Sequence, residues 1–457
     1  MKIINPATGA VIQEIEEDSA ETIHQKYKKA RTAQPRWADE PLRRRIAIIE
    51  RFDALLEQNR DELARTLTQE VGKPIRQSYN EIKGARQRIG FFIKHSERWL
   101  SEEIVHQEEG LTEKIVYEPL GVIANISAWN YPYLVGVNVI IPALIAGNAV
   151  MYKPSEYSTL TGVAIGRLLE EAGVPADIFQ VIIGGRQTGE ALLDLPLDGY
   201  FFTGSYATGR FISQRVAARM VPCQLELGGK DPLYVPDNNS NLKAVAAAAA
   251  DGAFYNTGQS CCAVERIYVH EKVYDAFVRY FVEEVKNFKL GNPEEESTYI
   301  GAITRPQHLE VLQRQVEDAI SKGARLLIGG KKLQGPGNFF EPTVLTDVSH
   351  DMLVMKEESF GPVIGIQKVK DDAEAVQLML DTEYGLTASV YCDERQRAEA
   401  ILKLMDTGTV YWNCCDRVSP YLPWSGRKHS GLGSTLSYAG IRAFTRPKAY
   451  HLRALSF

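Results

Sequence analysis

The sequence predicts an α/β protein built on a doubly wound parallel sheet, with a second α/β domain after it. From Lys114 onward, short apolar segments alternate with helical patterns, and such strand–helix–strand units form parallel sheets that are covered on both faces. A second alternating series begins near Asp231. The length of 457 residues agrees with this division, because one hydrophobic core rarely holds so long a chain and about two or three domains are expected.

The N-terminal part is predicted to be mostly helical. A turn at residues 5–9 leads to a short alternating pattern at residues 11–15, which indicates a strand. Residues 42–56 then place apolar side chains on one face of a helix: Leu42, Ile46, Ile49, Phe52 and Leu56. A further helix ends at the Gly72–Pro74 break, and a charged helical segment continues to about Trp99.

The first parallel sheet is predicted from the apolar segments Val122–Ile126, Ala149–Tyr152, Phe179–Ile183 and Tyr200–Thr203. A helical segment at residues 160–172 ends at a glycine and a proline. The uncharged run at residues 134–152 is long enough for a membrane helix, but Pro142 and Gly147 divide it, so a buried helix, a turn and a strand are expected. Sheets of this kind bind ligands beyond the carboxyl ends of their strands.

The second series predicts strands at Arg266–Val269, Arg325–Ile328 and Val363–Val369, a helix at Val273–Phe288 and a surface loop at Gly329–Asn338. The tail, residues 446–457, has a β-like pattern and no helical stripe. No strand near it in the sequence offers a partner, and such a segment often pairs with another subunit.

Composition and charge argue against several classes of protein. The net charge is −6 and no basic run occurs, so a nucleic-acid surface is not expected. A turn at residues 5–6 comes too early for a signal peptide. The six cysteines show neither a disulfide framework nor zinc-binding spacing, so reduced thiols and no metal are expected. We expect a soluble, cytoplasmic protein without a membrane anchor.

The adjacent thiols of Cys261 and Cys262 are the most chemically distinctive feature. They follow an alanine-rich helical run at residues 244–254 and precede a β-branched segment. Thiols at such a boundary can serve as a nucleophile, a metal ligand, a redox pair or small hydrophobic filler. The residues alone leave these alternatives open.

Other positions carry groups that suit a ligand or a reaction. Gly204, Ser205 and Gly209 follow a strand and open a helix, where N–H groups can bind phosphate, although no G-x-G-x-x-G motif is present and an ordinary βα turn looks the same. Glu226 precedes a Gly-Gly turn and is either a partly buried general base or a solvated edge residue. Asn130 could donate to an oxyanion or cap the helix that follows it.

Motifs along nearly the whole chain resemble those of the aldehyde dehydrogenase superfamily, in the family's order. They are Ala128-Trp129-Asn130-Tyr131-Pro132, Lys153-Pro154-Ser155-Glu156, Phe202-Thr203-Gly204-Ser205, Glu226-Leu227-Gly228-Gly229-Lys230, Gly258-Gln259-Ser260-Cys261 and Glu357-Glu358-Ser359-Phe360-Gly361-Pro362. Each motif is weak alone, but the ordered set is specific. The resemblance implies a Rossmann-like NAD-binding domain at residues 1–98 and 119–228, a catalytic domain at 229–428, and small β oligomerisation segments at 99–118 and 429–457. It also implies a homodimer or homotetramer.

The resemblance further implies the NAD-dependent oxidation of an aldehyde to the carboxylic acid. Cys261, the last residue of the G-Q-x-C motif, would be the nucleophile and would carry first a thiohemiacetal and then a thioester. The side-chain amide of Asn130 and the N–H of Cys261 would bind the oxyanion. Glu226 would activate the water that hydrolyses the thioester.

The family's cofactor site implies roles for further residues. Lys153 and Glu156 match the pair at the adenosine ribose, and because Glu156 would repel a 2′-phosphate, NAD is expected in preference to NADP. Ser205 matches the residue near the pyrophosphate, Glu358 the one on the nicotinamide ribose, and Phe360 the one beside the nicotinamide. The same site is expected to include Trp129, Gly204, Gly209 and Leu227.

The family's substrate tunnel maps to Tyr131, Leu134, Asn138, Ser260, Cys262 and the loop from Cys415 through Trp424. The rings of Tyr131 and Trp424 suit an apolar chain, whereas Asp416 and Arg417 could read a charged end or be ordinary loop ions. Aliphatic aldehydes and ω-semialdehydes are both compatible with this lining. Where many members have an Arg-Glu pair near the C-terminus, this chain has Ser434-Thr435, so Glu226 is expected to act without a second acid.

The same motifs leave two other functions to be considered for this chain. A CoA-acylating semialdehyde dehydrogenase shares the fold but needs no water-activating base at the position of Glu226. A structural or binding homologue without catalysis has no need of Cys261, Glu226 and Asn130 together.

Overall fold

Two mostly parallel β-sheets with helices packed on their faces organise the chain in the computed structural model, which describes residues 1–454. Its helices are α1 (Ala20–Asp39), α2 (Leu42–Gln58), α3 (Arg60–Val71), α4 (Ile75–Leu100), α5 (Pro132–Ile145), α6 (Thr159–Ala172), α7 (Arg186–Asp194), α8 (Tyr206–Val216), α9 (Leu242–Phe254), α10 (Glu271–Val285), α11 (His308–Ser321), α12 (Leu353–Lys356), α13 (Asp372–Leu380), α14 (Arg395–Leu402) and α15 (Ser437–Arg442).

The strands follow the same chain order. They are β1 (Lys2–Ile4), β2 (Val11–Glu14), β3 (Glu103–Glu108), β4 (Leu111–Pro119), β5 (Val122–Ile126), β6 (Ala149–Lys153), β7 (Phe179–Val181), β8 (Gly199–Thr203), β9 (Cys223–Glu226), β10 (Asp231–Val235), β11 (Val264–His270), β12 (Arg325–Ile328), β13 (Thr343–Thr346), β14 (Val363–Val369), β15 (Tyr384–Gly385), β16 (Thr387–Val390), β17 (Thr409–Trp412), β18 (Arg427–Lys428), β19 (Gly431–Leu432) and β20 (Thr445–Arg453). Residues 217–219 and 255–258 form short 3-10 turns.

The first sheet has the strand order β19-β9-β8-β5-β6-β7. Strands β6 and β7 follow on one side of β5, and the chain then crosses over so that β8 and β9 lie on its other side. These five strands are parallel. This confirms the predicted doubly wound sheet, and β5 has the predicted bounds. The strand order reverses between β5 and β8, and a crevice for a ligand forms at such a reversal.

The apolar run at residues 134–152 folds as predicted into a buried helix, a turn and a strand, α5 and β6. Gly147 makes the turn with a φ of 96°, a conformation that favours glycine. Within residues 1–454, none of the helices combines the length and the apolar character that a bilayer crossing requires.

The second sheet has the order β12-β13-β14-β11-β10-β16-β17, in which β12 is antiparallel and the other strands are parallel. Strands β11, β12 and β14 confirm the predicted ones. The loop with the two thiols enters β11, so it lies at the amino-terminal edge of this sheet. The side chain of Asn130, which follows β5, donates from Nδ2 to the carbonyl of Gln259 at 3.1 Å, so the carboxyl edge of the first sheet faces this loop.

A small antiparallel sheet, β20-β4-β3, joins segments that are far apart in sequence. All nine residues of β20 pair with β4. The C-terminal strand therefore has a partner within its own chain, which the sequence did not show because β4 is distant from it in sequence. Residues 455–457, the end of the predicted segment, lie outside the described residues.

Candidate active site

A cavity of about 1180 Å³ lies between the carboxyl edge of the first sheet and the loops that precede β11 and follow β17. Most of the residues predicted for catalysis, cofactor and substrate line it. They are Trp129, Asn130, Tyr131, Leu134, Asn138, Lys153, Glu156, Gly204, Ser205, Glu226, Leu227, Ser260, Cys261, Cys262, Glu358, Phe360, Asp416, Arg417 and Trp424.

Gly209, Cys415 and residues 419 and 421–423 of the predicted tunnel loop do not line this cavity. A Cβ on Gly209 would come 2.5 Å from Cδ2 of Leu227, so this glycine allows α8 to pack closely rather than presenting a surface to the cavity. Cys415 is 8% exposed and packs behind α9, where a Cβ on Gly252 would come 2.4 Å from its Sγ. The prediction that Cys415 lines the substrate tunnel is wrong, because the backbone turns at Asp416 and sends the two adjacent side chains in different directions.

The loop before the thiols has an unusual backbone. Asn256, Thr257 and Gly258 have φ values of 55°, 58° and 71°, and a left-handed conformation is strained for a β-branched residue such as Thr257. Hydrogen bonds hold this conformation. The Oγ1 of Thr257 accepts from the N–H of Gly301 at 2.9 Å, and the N–H of Asn256 donates to Oε1 of Gln77 at 2.9 Å. The position of the thiols is therefore fixed by contacts from several elements.

The two thiols differ in their surroundings. Cys261 is half-buried, whereas Cys262 is 5% exposed and donates from Sγ to Oδ1 of Asp416 at 3.1 Å. The hydrogen bond with Cys261, burial and the neighbouring Asp416 together raise the pKa of Cys262 well above its usual range. Cys262 therefore keeps its proton, and Cys261 is the thiol more accessible from the cavity.

Asn130 is held by its backbone and its side chain. Its carbonyl accepts from Nζ of Lys73 at 2.7 Å and from Nδ2 of Asn256 at 3.3 Å. The side chain does not cap α5, since the N-cap of that helix is Tyr131 and no side chain caps it. An amide NH₂ group carries two hydrogens, and one of them bonds to Gln259, so the other can serve a ligand.

A buried ion pair holds the backbone of Asn130 in place. Lys73 and Glu81 are both completely buried and bond to each other. Oε1 of Glu81 also accepts from the N–H of Tyr133 at 2.8 Å, at the start of α5. Burial lowers the pKa of Lys73, and the negative charge of Glu81 opposes this shift.

A second buried ion pair supports the opposite side of the cavity. Nζ of Lys230 donates to Oε2 of Glu265 at 2.6 Å and to Oγ of Ser359 at 3.0 Å. The carboxylate of Glu265 accepts from the N–H groups of Ser359 and Phe360 at 2.8 and 2.9 Å. The loop that carries Glu358 and Phe360 is thereby fixed to β11.

Glu226 ends β9 and bonds to the hydroxyl of Thr435. Burial raises the pKa of Glu226 to about 7, while the hydrogen bond from Thr435 and the charge of Arg88 act in the opposite direction. Thr435 is the residue that stands in place of the acid found in many family members, and sequence reasoning did not assign it a contact. Its backbone pairs with that of Trp424, so the loop after β17 and the carboxylate are connected.

One end of the cavity suits a dinucleotide. Ser205 is the N-cap of α8, at the helix terminus that favours negative groups such as a pyrophosphate. Lys153 is 4% exposed and its ammonium bonds to the backbone oxygen of Pro154 at 3.0 Å. The carboxylates of Glu156 and Glu358 are acceptors that match ribose hydroxyls. The ring of Trp129 meets Phe360 edge to face at 5.5 Å and forms an apolar wall.

Sequence reasoning missed Arg88 in α4, which also lines the cavity. A signal for it was present. Residues Ile82, Ala85, Ile89 and Phe92 follow the spacing of a buried helical face, and Arg88 is placed on that face three residues after Ala85. A charged residue on the buried side of a helix is uncommon unless it is paired, and this distinguishes Arg88 in the sequence.

The fold and the cavity together define an α/β dehydrogenase with a thiol facing the crevice of its doubly wound sheet. A sequence model of the aldehyde dehydrogenase family matches residues 1–450. The chain belongs to the aldehyde dehydrogenase family and is an oxidoreductase, which confirms the resemblance.

Individual relatives agree with this assignment. The chain is 34% identical to the NADP(+) succinate-semialdehyde dehydrogenase of Deinococcus radiodurans, over 97% of this chain and 93% of that protein. It is 34% identical to the glutarate-semialdehyde dehydrogenase of Pseudomonas putida, over 98% and 93%. The crystal structure of the aldehyde dehydrogenase KauB from Pseudomonas aeruginosa matches with a TM-score of 0.96 and 31% identity, over 99% of this chain and 93% of that one. This confirms the predicted fold class.

Replacing Lys73 tests the buried pair. Lys73→Met should lower the free energy of unfolding by about 3–5 kcal/mol, because Glu81 would stay buried without its cation. Lys83→Met removes an exposed lysine of α4, the helix that carries Glu81, and should change the free energy of unfolding by less than about 0.5 kcal/mol. Chemical denaturation followed by tryptophan fluorescence measures both, and equal effects of the two variants would contradict a special contribution of the buried pair.

Proposed function

We propose that this chain oxidises an aldehyde to the carboxylic acid, with NAD as the preferred cofactor and Cys261 as the nucleophile. The observation that carries this proposal is that Cys261, Asn130 and Glu226 line one cavity. Family membership supports the reaction class. The names of the two semialdehyde dehydrogenases among the relatives support a small aldehyde as substrate.

The first step is attack by the Cys261 thiolate on the carbonyl carbon, which gives a thiohemiacetal. The N–H of Asn130 that is not bonded to Gln259, together with the backbone N–H of Cys261, donates to the oxygen as it becomes negative. The raised pKa of Cys262 supports this choice of nucleophile, since a thiol that keeps its proton is a poor nucleophile.

The last step is hydrolysis of the Cys261 thioester. Glu226 accepts a proton from the attacking water, and a pKa of about 7 makes this carboxylate a stronger base than an ordinary glutamate. Thr435 holds the carboxylate by donating to it. This base also favours hydrolysis over acyl transfer to CoA, so formation of the acid without CoA is the result that separates the two functions.

The cofactor site supports a nicotinamide dinucleotide, which the family uses. A bound nicotinamide supplies the acceptor for a hydride. In this chain Glu156 would accept from the ribose hydroxyls and Ser205 would face the pyrophosphate. A 2′-phosphate would meet the negative charge of Glu156, and this supports NAD, although a relative from Deinococcus radiodurans carries NADP in its name.

The division into domains and the oligomer remain proposals. The NAD-binding, catalytic and oligomerisation segments keep the bounds given above. The sheet formed by β3, β4 and β20 supports a homodimer or homotetramer, because Ile104 and Val105 of β3 and Leu452 of β20 are exposed apolar residues on its outer strands.

Replacing each thiol tests the nucleophile. Cys261→Ala should abolish the formation of reduced cofactor, because no other thiol takes the thiohemiacetal role. Cys262→Ala should retain activity within about one order of magnitude, since its thiol only lines the cavity. Absorbance of the reduced cofactor measures both in the absence of CoA, and the reverse pattern would assign the nucleophile to Cys262.

Removing the hydroxyl of Thr435 tests the base. Activity of the wild type should fall as the pH drops through about 7, because protonated Glu226 accepts no proton from water. Thr435→Val removes a donor that stabilises the carboxylate, so the pH at which activity falls should rise by about one unit. Rapid-mixing assays of thioester hydrolysis across pH measure the shift.

Two further variants make this test specific. Ser434→Ala removes the adjacent hydroxyl and should leave the pH of this fall in activity unchanged. Glu226→Gln should slow hydrolysis and abolish its dependence on pH near 7. If the pH dependence persists in Glu226→Gln, the titrating group would be Asp416, whose pKa burial also raises to about 7.

Neutralising Glu156 tests the cofactor preference. Glu156→Gln should raise the kcat/KM ratio of NADP over NAD about fivefold, because a repulsion of roughly one kcal/mol is lost. Glu170→Gln removes an exposed carboxylate of the nearby helix α6 and is the matched control. A wild type that already prefers NADP would contradict the proposed preference.

A further inference from the structure

Arg88 reaches the cavity because α4 and α5 pack closely. A Cβ on Gly84 would lie 3.1 Å from Cδ2 of Leu134, so the glycine leaves room for close contact between the two helices. One turn further along α4, Nη1 of Arg88 donates to the carbonyl of Leu134 and to Oδ1 of Asn138, both at 3.0 Å. The guanidinium is thereby fixed against α5, and the residue is only 8% exposed.

The charge of Arg88 has no direct counter-ion within residues 1–454. Both of its hydrogen-bond acceptors are neutral: the carbonyl of Leu134 and Oδ1 of Asn138. Glu226, which lines the same cavity, is bonded to Thr435 instead. Burial lowers the pKa of Arg88, and the charges of Glu226, Cys262, Glu81 and Cys261 oppose that shift. A buried cation without a partner is costly, and an anion that entered the cavity would relieve that cost.

The free donors of this group open into the cavity. Nε and Nη2 of Arg88 form no hydrogen bond with residues 1–454, and neither atom is fully enclosed by the protein. Nδ2 of Asn138 also has no partner among these residues and is not fully enclosed, while Oδ1 of Asn138 accepts from Arg88. A guanidinium edge and an amide N–H side by side match the two oxygens of a carboxylate.

We propose that Arg88 and Asn138 form a subsite for the terminal carboxylate of an ω-semialdehyde. The proposal rests on the proposed function and specifies its substrate class. The aldehyde carbon lies at Cys261 while the other end of the chain reaches α4. Leu134 and Tyr131, on the same side of the cavity, contact the methylene groups between the two ends.

Other charges in this part of the cavity have partners or lie in the solvent. Oδ1 of Asp416 accepts from Ser260 and Cys262, both at 3.1 Å, and Asp251 accepts from the hydroxyl of Tyr299. Arg417 is exposed. If Asp416 rather than Arg88 dominated recognition, the preferred substrate would be an aldehyde with a terminal ammonium group.

The first experiment compares four aldehydes that share a four-carbon chain as substrates of the wild-type protein. Succinate semialdehyde, its methyl ester, butanal and 4-aminobutanal are assayed with NAD and NADP. The semialdehyde should exceed the ester and butanal in kcat/KM by about 10- to 100-fold, the range for a hydrogen bond between charged groups. Equal rates for the acid and the ester, or a preference for 4-aminobutanal, would overturn the subsite.

The second experiment replaces the guanidinium. Arg88→Gln should lower the ratio of kcat/KM for the semialdehyde over that for butanal at least tenfold, mainly through KM. Asn138→Ala should lower it by a smaller factor, because it removes a neutral donor. Lys94→Gln removes one positive charge from the solvent side of the same helix, and its ratio should match that of the wild type. An unchanged ratio in Arg88→Gln would overturn the proposal.

A binding measurement keeps the test independent of turnover and of the stability of one variant. Calorimetric titration with glutarate and with pentanoate should show binding of glutarate to the wild type at least tenfold tighter. Arg88→Lys keeps the positive charge but loses the paired N–H donors of the guanidinium, so its affinity for glutarate should lie between those of the wild type and Arg88→Gln. If no aldehyde is oxidised, the proposed function fails, and these titrations alone decide the subsite: equal affinity for the two acids overturns it.

Discussion

The buried pair of Lys73 and Glu81 is the interaction on which the geometry of the site depends. Glu81 binds the N–H of Tyr133 at the start of α5, and Lys73 binds the carbonyl of Asn130, so one ion pair fixes a wall of the cavity and the amide beside it. Through Asn256, the same carbonyl is connected to the loop that carries Cys261. Because both ions lose their hydration, the pair is stable only with these additional hydrogen bonds.

The pair of Lys230 and Glu265 acts in the same way on the other side of the cavity. It binds the backbone of Ser359 and Phe360, where Phe360 has a left-handed φ of 46° that would be unfavourable in isolation. Two loops from different sheets are thus held by buried charges rather than by regular secondary structure. Such a site is rigid, and rigid donors stabilise a developing charge without having to reorganise.

The low polarity around these loops also sets the acid–base behaviour of the cavity. Burial raises the pKa of Glu226 and Asp416 to about 7 and that of Glu358 to about 8, so three carboxyl groups are partly protonated near neutral pH. Their negative charge is thereby reduced, which lowers the repulsion that an anionic substrate would meet. Arg88 stays protonated under these conditions and adds a positive charge to the cavity.

The doubly wound sheet, most strands of the second sheet and the family could be predicted from the sequence, because alternating patterns and ordered motifs depend on neighbouring residues. The sequence also placed Cys261, Glu226 and Asn130 in one functional set through those motifs. The pairing of β20 with β4, the bond between Thr435 and Glu226, and the contacts of Arg88 with α5 could be found only from the folded structure. These contacts join distant segments, and their geometry follows from how helices and sheets pack, which no local pattern encodes.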